Sequence, residues 1–374
     1  MMSAKELKQL STTRLSDFFN YNNQYLHYVV VMALITASCL WRNVDGLVGD
    51  DGAFFLKYAE NMSKGYFWYY NIDSGPIWGA SAPLYPLLIA PLIKIGIDPV
   101  AAIKIVGISL LNAAGLLGFQ YFAKNKSSYG FIFVVLFALN SNIVINSMTG
   151  LETPLTVFLI CLVVHEMKNY EEMIGNSNQA DRSVLKIPFI IGILAINKID
   201  LIPFSFALII AYCFMINGLK QRVQSIVVPL LILISFHSFA WAYFGYPLPN
   251  SFLTKALHQN HLPRIISRDW IFNDLKSTSL IALLAAIAIM IPLLIEFLKV
   301  VFNSNHPRSV LVPPMFVRTG LCLSFLGIYV FLGYSIKPPF EPYIWYIAPI
   351  SLSVCYLATL FVVSIDSQIQ LKAV

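Results

Sequence analysis

The chain has 374 residues, of which 57% are hydrophobic and only 12% charged, with a mean hydropathy of +0.70 and a formal net charge of +6. Soluble domains carry roughly 25% charged residues. Here repeated apolar runs of about 18 to 22 residues have the length that crosses a hydrocarbon core of roughly 30 Å. A soluble globular enzyme, a disordered chain and a coiled coil are thereby excluded. The expectation is an all-α polytopic membrane protein with about 10–11 transmembrane helices, forming one membrane-embedded domain over residues 1–374.

In chain order, residues 1–24 form a polar tail carrying Lys5, Lys8 and Arg14, followed by a first apolar run at 25–44. The tail lacks a signal-peptide core and a small-residue cleavage site, so the first run is expected to stay as a helix. Basic residues prefer the cytoplasmic side, which places the tail inside and residues 45–81 outside. Further apolar candidates are 82–97, 101–123, 129–146, 151–165, 187–196, 200–217, 223–243, 278–300, 316–334 and 343–363. Segment 82–97 carries Pro83, Pro86 and Pro91. Proline removes a helix hydrogen bond, and such breaks survive in a bilayer only where protein or a cavity covers them. If this segment crosses incompletely, the charged stretches at Lys124/Lys126, 166–186, Lys220/Arg222 and Lys299/Arg308 all fall inside. Residues 244–277 and 335–342 then form outer loops.

The five cysteines are isolated, mostly inside apolar runs, and read as small core side chains. His258 and His261 make an HxxH spacing without a third ligand nearby, so no metal is expected there. A divalent ion at paired carboxylates is chemically possible, but two acids do not specify one, and no cofactor is expected. Nor is any basic stripe present that would suit nucleic acid.

Ionisable residues gather in the outer loops and at helix ends, whereas transporters keep them within their spans. The first outer loop contains Gly49-Asp50-Asp51-Gly52, followed by Phe54, Phe55, Tyr58, Ala59 and Met62 at helical spacing. Lys57, Glu60, Asn61 and Lys64 fall on the opposite side, so an amphipathic juxtamembrane helix ending at Gly65 is expected. One of the two acids would suffice as its N-cap. A pair of adjacent, partly desolvated carboxylates exceeds that need and suits a general base acting on a hydroxyl.

These residues resemble a family. Gly49-Asp50-Asp51 through Asn61, with Gly79-Ala-Ser-Ala-Pro-Leu84, resembles the first-loop signature of the membrane-embedded GT-C glycosyltransferases, closest to the branch containing mycobacterial-type arabinofuranosyltransferases. Three further elements follow in order. Thr149-Gly150-Leu151-Glu152-Thr153-Pro154 is similar to that branch's Gly-[Leu/Met]-Glu-Thr element. Asn197-Lys198-Ile199-Asp200 stands where the branch has Arg-Pro-[Asp/Glu]. Phe244-Gly245-Tyr-Pro247-Leu248-Pro249-Asn250 through Lys255-Ala256 is similar to its Tyr-Gly-x-Pro-Leu-Pro-Asn element. Lys57 and Lys198 replace the usual arginines, which keeps charge but loses bidentate phosphate geometry.

The resemblance implies transfer of a glycosyl residue, with inversion, from a polyprenyl-phosphate sugar donor to a hydroxyl of a cell-envelope glycan or glycolipid acceptor. It places the work at the outer face of a bacterial cytoplasmic membrane. Asp50 and Asp51 would be catalytic. Lys57, Tyr58, Glu152, Lys198, Asp200, Asn250 and Lys255 would bind substrate, with Arg264 and Arg268 as further outer cations. Bland roles stand beside these: a helix-start acid for Glu152, an ion pair for Asp200 with Lys198, and a surface turn for Asn250 and Lys255. The rival function is a transporter or flippase of a lipid-linked glycan, which predicts charged spans and inverted repeats.

Overall fold

The computed structural model describes residues 25–42, 48–124, 126–173, 184–213, 216, 218–250 and 347–372. The N-terminal tail, the expected spans at 278–300 and 316–334, and Lys255, Arg264 and Arg268 lie outside the described residues. Every regular element among the described residues is helical. In order they are α1 (Tyr25–Trp41), α2 (Asp50–Ser63), α3 (Leu84–Lys94), α4 (Pro99–Ala123), α5 (Ser127–Leu139), α6 (Ser141–Met148), α7 (Thr153–Met173), α8 (Lys186–Asn197), α9 (Ile202–Cys213), α10 (Leu219–Phe244) and α11 (Ile347–Lys372). Two short 3-10 turns lie at Ile72–Ser74 and Ile199–Leu201.

α4 is the hub. Asp98 caps it by accepting a hydrogen bond from the Ala101 amide at 3.0 Å, and Pro99 occupies the first turn, where its missing N–H is not needed. Its 25 residues span about 37 Å, enough to cross a bilayer. Without a hydrophobic drive between helices in lipid, close approach depends on small residues. On α4 a Cβ at Gly107 would stand 2.5 Å from the Ser147 carbonyl oxygen, one at Gly115 would stand 2.1 Å from Ile35 Cδ1, and one at Gly118 would stand 2.0 Å from Phe133. These three glycines admit α6, α1 and α5 respectively. α7 packs on another side of α4, α8 on α7, and α10 on α8, where Gly192 meets Ile232 and Pro229.

α4 and α10 are long and apolar enough to cross a membrane. Segment 82–97 yields only the 11-residue α3, about 16 Å long, half the thickness of a hydrocarbon core. Segment 129–146 is not one straight helix as expected. It breaks into α5 and α6, bent by 59°. The cause is Asn140, whose backbone leaves the helix and whose side-chain oxygen accepts from the Ile143 amide at 3.2 Å, capping α6 anew.

Lys124 at the end of α4 pairs with Glu172 of α7 at 2.5 Å, and Lys126 pairs with Asp366 of α11 at 3.2 Å. Tyr129 also donates to Asp366, and Lys186 pairs with Glu166 at 2.8 Å. Ile103, twenty residues before Ala123, touches Gly150. The charged cluster and the Thr149–Glu152 element are therefore separated by about 30 Å along α4, one hydrocarbon thickness.

Candidate functional site

The α2 face follows the expected pattern with one exception. Phe55, Tyr58, Ala59 and Met62 are buried, and Lys57 and Lys64 are exposed. Asn61, expected on the polar side, is buried instead, and its amide donates to the carbonyls of Tyr69 and Tyr70 at 2.8 and 2.9 Å. A single polar side chain thus folds the following loop back over the helix. Gly65 turns the chain with φ +93.

Asp50 and Asp51 occupy the first two helical positions, both exposed, and the cap is Gly49. Neither acid therefore serves as the N-cap, and the partial desolvation expected of them is not seen among the described residues. They complement the positive end of the helix dipole. The turn that carries them is fixed by backbone contacts. The Gly49 amide donates to the Thr149 carbonyl at 2.9 Å. A Cβ at Gly52 would stand 2.3 Å from the same oxygen and 3.2 Å from the Gly150 carbonyl carbon, so only glycine permits this approach. The Gly-Asp-Asp-Gly element thus docks directly onto the Thr-Gly-Leu-Glu element, 97 residues later in the chain for Gly52 and Thr149.

Two residues further on, Glu152 meets Lys198. Their Oε1–Nζ distance is 2.7 Å, and their side chains are 4% and 7% exposed. Lys198 stands just past the end of α8 with extended backbone, which directs it toward the start of α7. Beside it, the Asn197 amide donates to Thr156 Oγ1 at 3.2 Å. The backbone of Asp200 lies in the 3-10 turn that follows; its side chain lies outside the described residues.

Tyr58 is fully buried. Its hydroxyl donates to the Ile77 carbonyl at 2.8 Å and accepts from the Gly79 amide at 3.2 Å. Burial pushes its phenol up to about 12. Both hydrogen-bonding functions of this hydroxyl are engaged by backbone, so it holds loop 77–79 against α2. The next residue of that loop's centre, Trp78, donates its amide to Tyr246 Oη at 3.1 Å and accepts the Asn250 amide on its carbonyl at 2.8 Å. His237 Nδ1 bonds the Pro247 carbonyl at 2.7 Å, and Tyr243 donates to the Phe67 carbonyl at 3.2 Å. The loops before α3 and after α10 are joined through backbone. Asn250 takes part through its main chain, with its side chain exposed.

The structure brings Asp50, Asp51, Tyr58, Glu152, Lys198 and Asn250 to one end of the bundle, with Lys57 exposed on the outer side of α2. It also adds residues that sequence reasoning missed. Tyr85 is fully buried, edge-on to Phe55 at 5.6 Å between ring centres, and within electrostatic reach of Glu152. Its hydroxyl, Thr153 Oγ1, Asn197 Oδ1 and the Trp78 indole nitrogen have no hydrogen-bond partner among the described residues. A tyrosine between two prolines in an apolar segment was the available signal, since a buried hydroxyl requires a partner. No group of three His, Cys, Asp or Glu side chains that could hold a metal occurs among the described residues.

Taken together, the apolar helices, the short Pro-broken α3 and the juxtamembrane α2 define an integral membrane protein with the GT-C membrane fold. The fold is similar to that in the crystal structure of ArnT from Cupriavidus metallidurans in the apo state, which aligns with a TM-score of 0.57 over 92% of this chain at 14% sequence identity. The chain spans 60% of the length of that protein. At this identity the likeness shows a shared fold, and it does not single out the expected arabinofuranosyltransferase branch. No family model and no curated protein matches the sequence.

Proposed function

We propose that this protein transfers a glycosyl residue from a polyprenyl-phosphate-linked donor to a hydroxyl of a cell-envelope glycan or glycolipid. The site would face the outer side of the bacterial cytoplasmic membrane. The observation that carries this reading is the docking of Asp50-Asp51 onto the Thr149–Glu152 element at one end of the bundle, about a membrane thickness from the Lys124–Asp366 end. The basic residues at that second end support its assignment to the cytoplasm.

In this chemistry the acceptor O–H gives its proton to Asp50 or Asp51 as its oxygen bonds to the sugar's anomeric carbon. The anomeric C–O bond to phosphate breaks, and the electron pair leaves with polyprenyl phosphate. An exposed carboxylate at a helix start is accessible to an incoming hydroxyl, and such a base contributes roughly 10²–10⁴ in rate. The departing phosphate needs cationic donors. Lys57 is one, with Lys255, Arg264 and Arg268 as candidates beyond the described residues. Asp200 and Asn250 remain proposed as substrate contacts, and the absence of a required metal remains an expectation.

The test is sugar transfer from a radiolabelled polyprenyl-phosphate sugar pool in membranes carrying wild type, Asp50→Asn or Asp51→Asn. One aspartate variant is expected to lose at least about 100-fold in rate. Wild-type rates in both would overturn the assignment.

A further inference from the structure

We infer that the buried Glu152–Lys198 pair positions the Asp50/Asp51 carboxylates through the Thr149–Gly150 backbone, rather than by touching substrate. This rests on the reading of one of those aspartates as the base.

The pair's burial comes first. With side chains 4% and 7% exposed and neighbours Thr153 and Asn197 also buried, Glu152 and Lys198 present no open face to a sugar or a phosphate. Net stability does not account for the pair either. Burying two charges is expensive, and an apolar pair of similar size is often as stable or more so. What a 2.7 Å ion pair supplies is a fixed geometry between the start of α7 and the end of α8.

That geometry has a short path to the carboxylates. Gly150 holds φ +82, and a Cβ there would strike Ile103 at 2.9 Å and Val48 at 3.0 Å. The Leu151 amide is tied to the Asn146 carbonyl at 3.3 Å. The segment from Glu152 back to Thr149 is thus pinned along its length. The Thr149 carbonyl then bonds the Gly49 amide at 2.9 Å and presses against Gly52. Gly49 and Gly52 bracket Asp50 and Asp51. A shift of Glu152 is carried to Thr149 along this packed segment, and from Thr149 through the Gly49 and Gly52 contacts to the turn that bears both carboxylates. Misplacing a reacting group by about 1 Å can cost on the order of 10²-fold in rate.

Two variants test this in the transfer assay, with full-length protein in membranes and melting measured in detergent. Glu152→Leu/Lys198→Met removes both members of the pair together. It is expected to melt near wild type, to lose at least about tenfold in kcat and to keep its donor KM within about threefold. Gly52→Ala leaves the ion pair intact but forces Thr149 and the first turn of α2 apart, and should show the same kcat-selective loss. Wild-type kcat in a folded double variant makes the pair merely structural and overturns the inference. A tenfold rise in donor KM at unchanged kcat means direct substrate contact and overturns it too. Should the double variant fail to accumulate, Gly52→Ala decides, and wild-type kcat there breaks the proposed path. Asp50→Asn and Asp51→Asn are run alongside. Loss in one of them together with wild-type kcat in Gly52→Ala and the double variant breaks the positioning role alone; wild-type rates in both break the functional reading as well.

Discussion

The two ends of the helix bundle use charge in opposite ways. At the Lys124–Asp366 end the ion pairs are partly exposed, with side-chain exposures of 35% and 48% for Lys124 and Glu172. Each partner keeps much of its hydration, and the pairs sit at the ends of helices that apolar packing already holds together. At the other end Glu152 and Lys198 have given up nearly all contact with solvent, while Asp50 and Asp51 nearby remain exposed. Exposed pairs tolerate loss because water replaces the missing partner. A buried pair does not, because the survivor is a charge with no solvent. The site end therefore has a sequence whose individual residues matter, and the opposite end has one whose charge balance matters.

The largest expected contrast is in catalysis. Asp50→Asn or Asp51→Asn should cost about 10²–10⁴ in transfer rate, and neutralising Glu172 should leave that rate within about twofold. Next comes stability. Glu152→Gln or Lys198→Met removes one member of a buried ion pair and should destabilise by about 3–5 kcal/mol, read as loss of folded protein in detergent. Tyr58→Phe should cost less, about 1–3 kcal/mol, because it leaves the Ile77 carbonyl and the Gly79 amide unsatisfied. Its pH dependence has a fixed sign. With the phenol raised to about 12 in the folded protein, the contribution of Tyr58 is complete below pH 10 and is lost as pH rises from 10 to 12. Wild type should therefore lose more stability than Tyr58→Phe across that window.

Much of this was legible in the sequence because the membrane makes charge scarce. The short helix within segment 82–97 followed from three prolines, and the α2 face followed from the spacing of Phe55, Tyr58, Ala59 and Met62. The break at Asn140 was not anticipated, since hydropathy averaged over Asn140-Ser-Asn142 stays apolar while one asparagine side chain is enough to restart a helix. Asn61 departs from the polar face of α2 for a similar reason. Its partners are carbonyls of a loop that doubles back, and no periodicity encodes that contact. For the site, each motif was visible but its partner was not. Glu152 read as a helix-start acid and Lys198 as the neighbour of Asp200, because sequence shows adjacency along the chain, whereas the 2.7 Å contact spans 46 residues. No motif marks Tyr85 or Trp78, and only a buried polar atom without a partner among the described residues sets them apart.

The smallest expected effect lies at the charged end and sharpens the contrast from that side. The Tyr129 hydroxyl and then Lys126 hold the Asp366 carboxyl below its usual range. A lowered value means that the contribution of Asp366 is present above the ordinary carboxylate pKa and is lost as pH falls through the lowered one. Asp366→Asn should therefore flatten the acid limb of the stability curve, because the variant lacks at neutral pH the small contribution that wild type loses only in acid. Exposed pairs are screened by salt, so the wild-type difference from Asp366→Asn should shrink between low and physiological ionic strength. The loss from Glu152→Gln should not. Melting temperatures of the two variants at two salt concentrations measure this directly. Equal salt sensitivity at both ends would mean that water reaches the Glu152–Lys198 pair, and the distinction between the two ends would fail at its physical root.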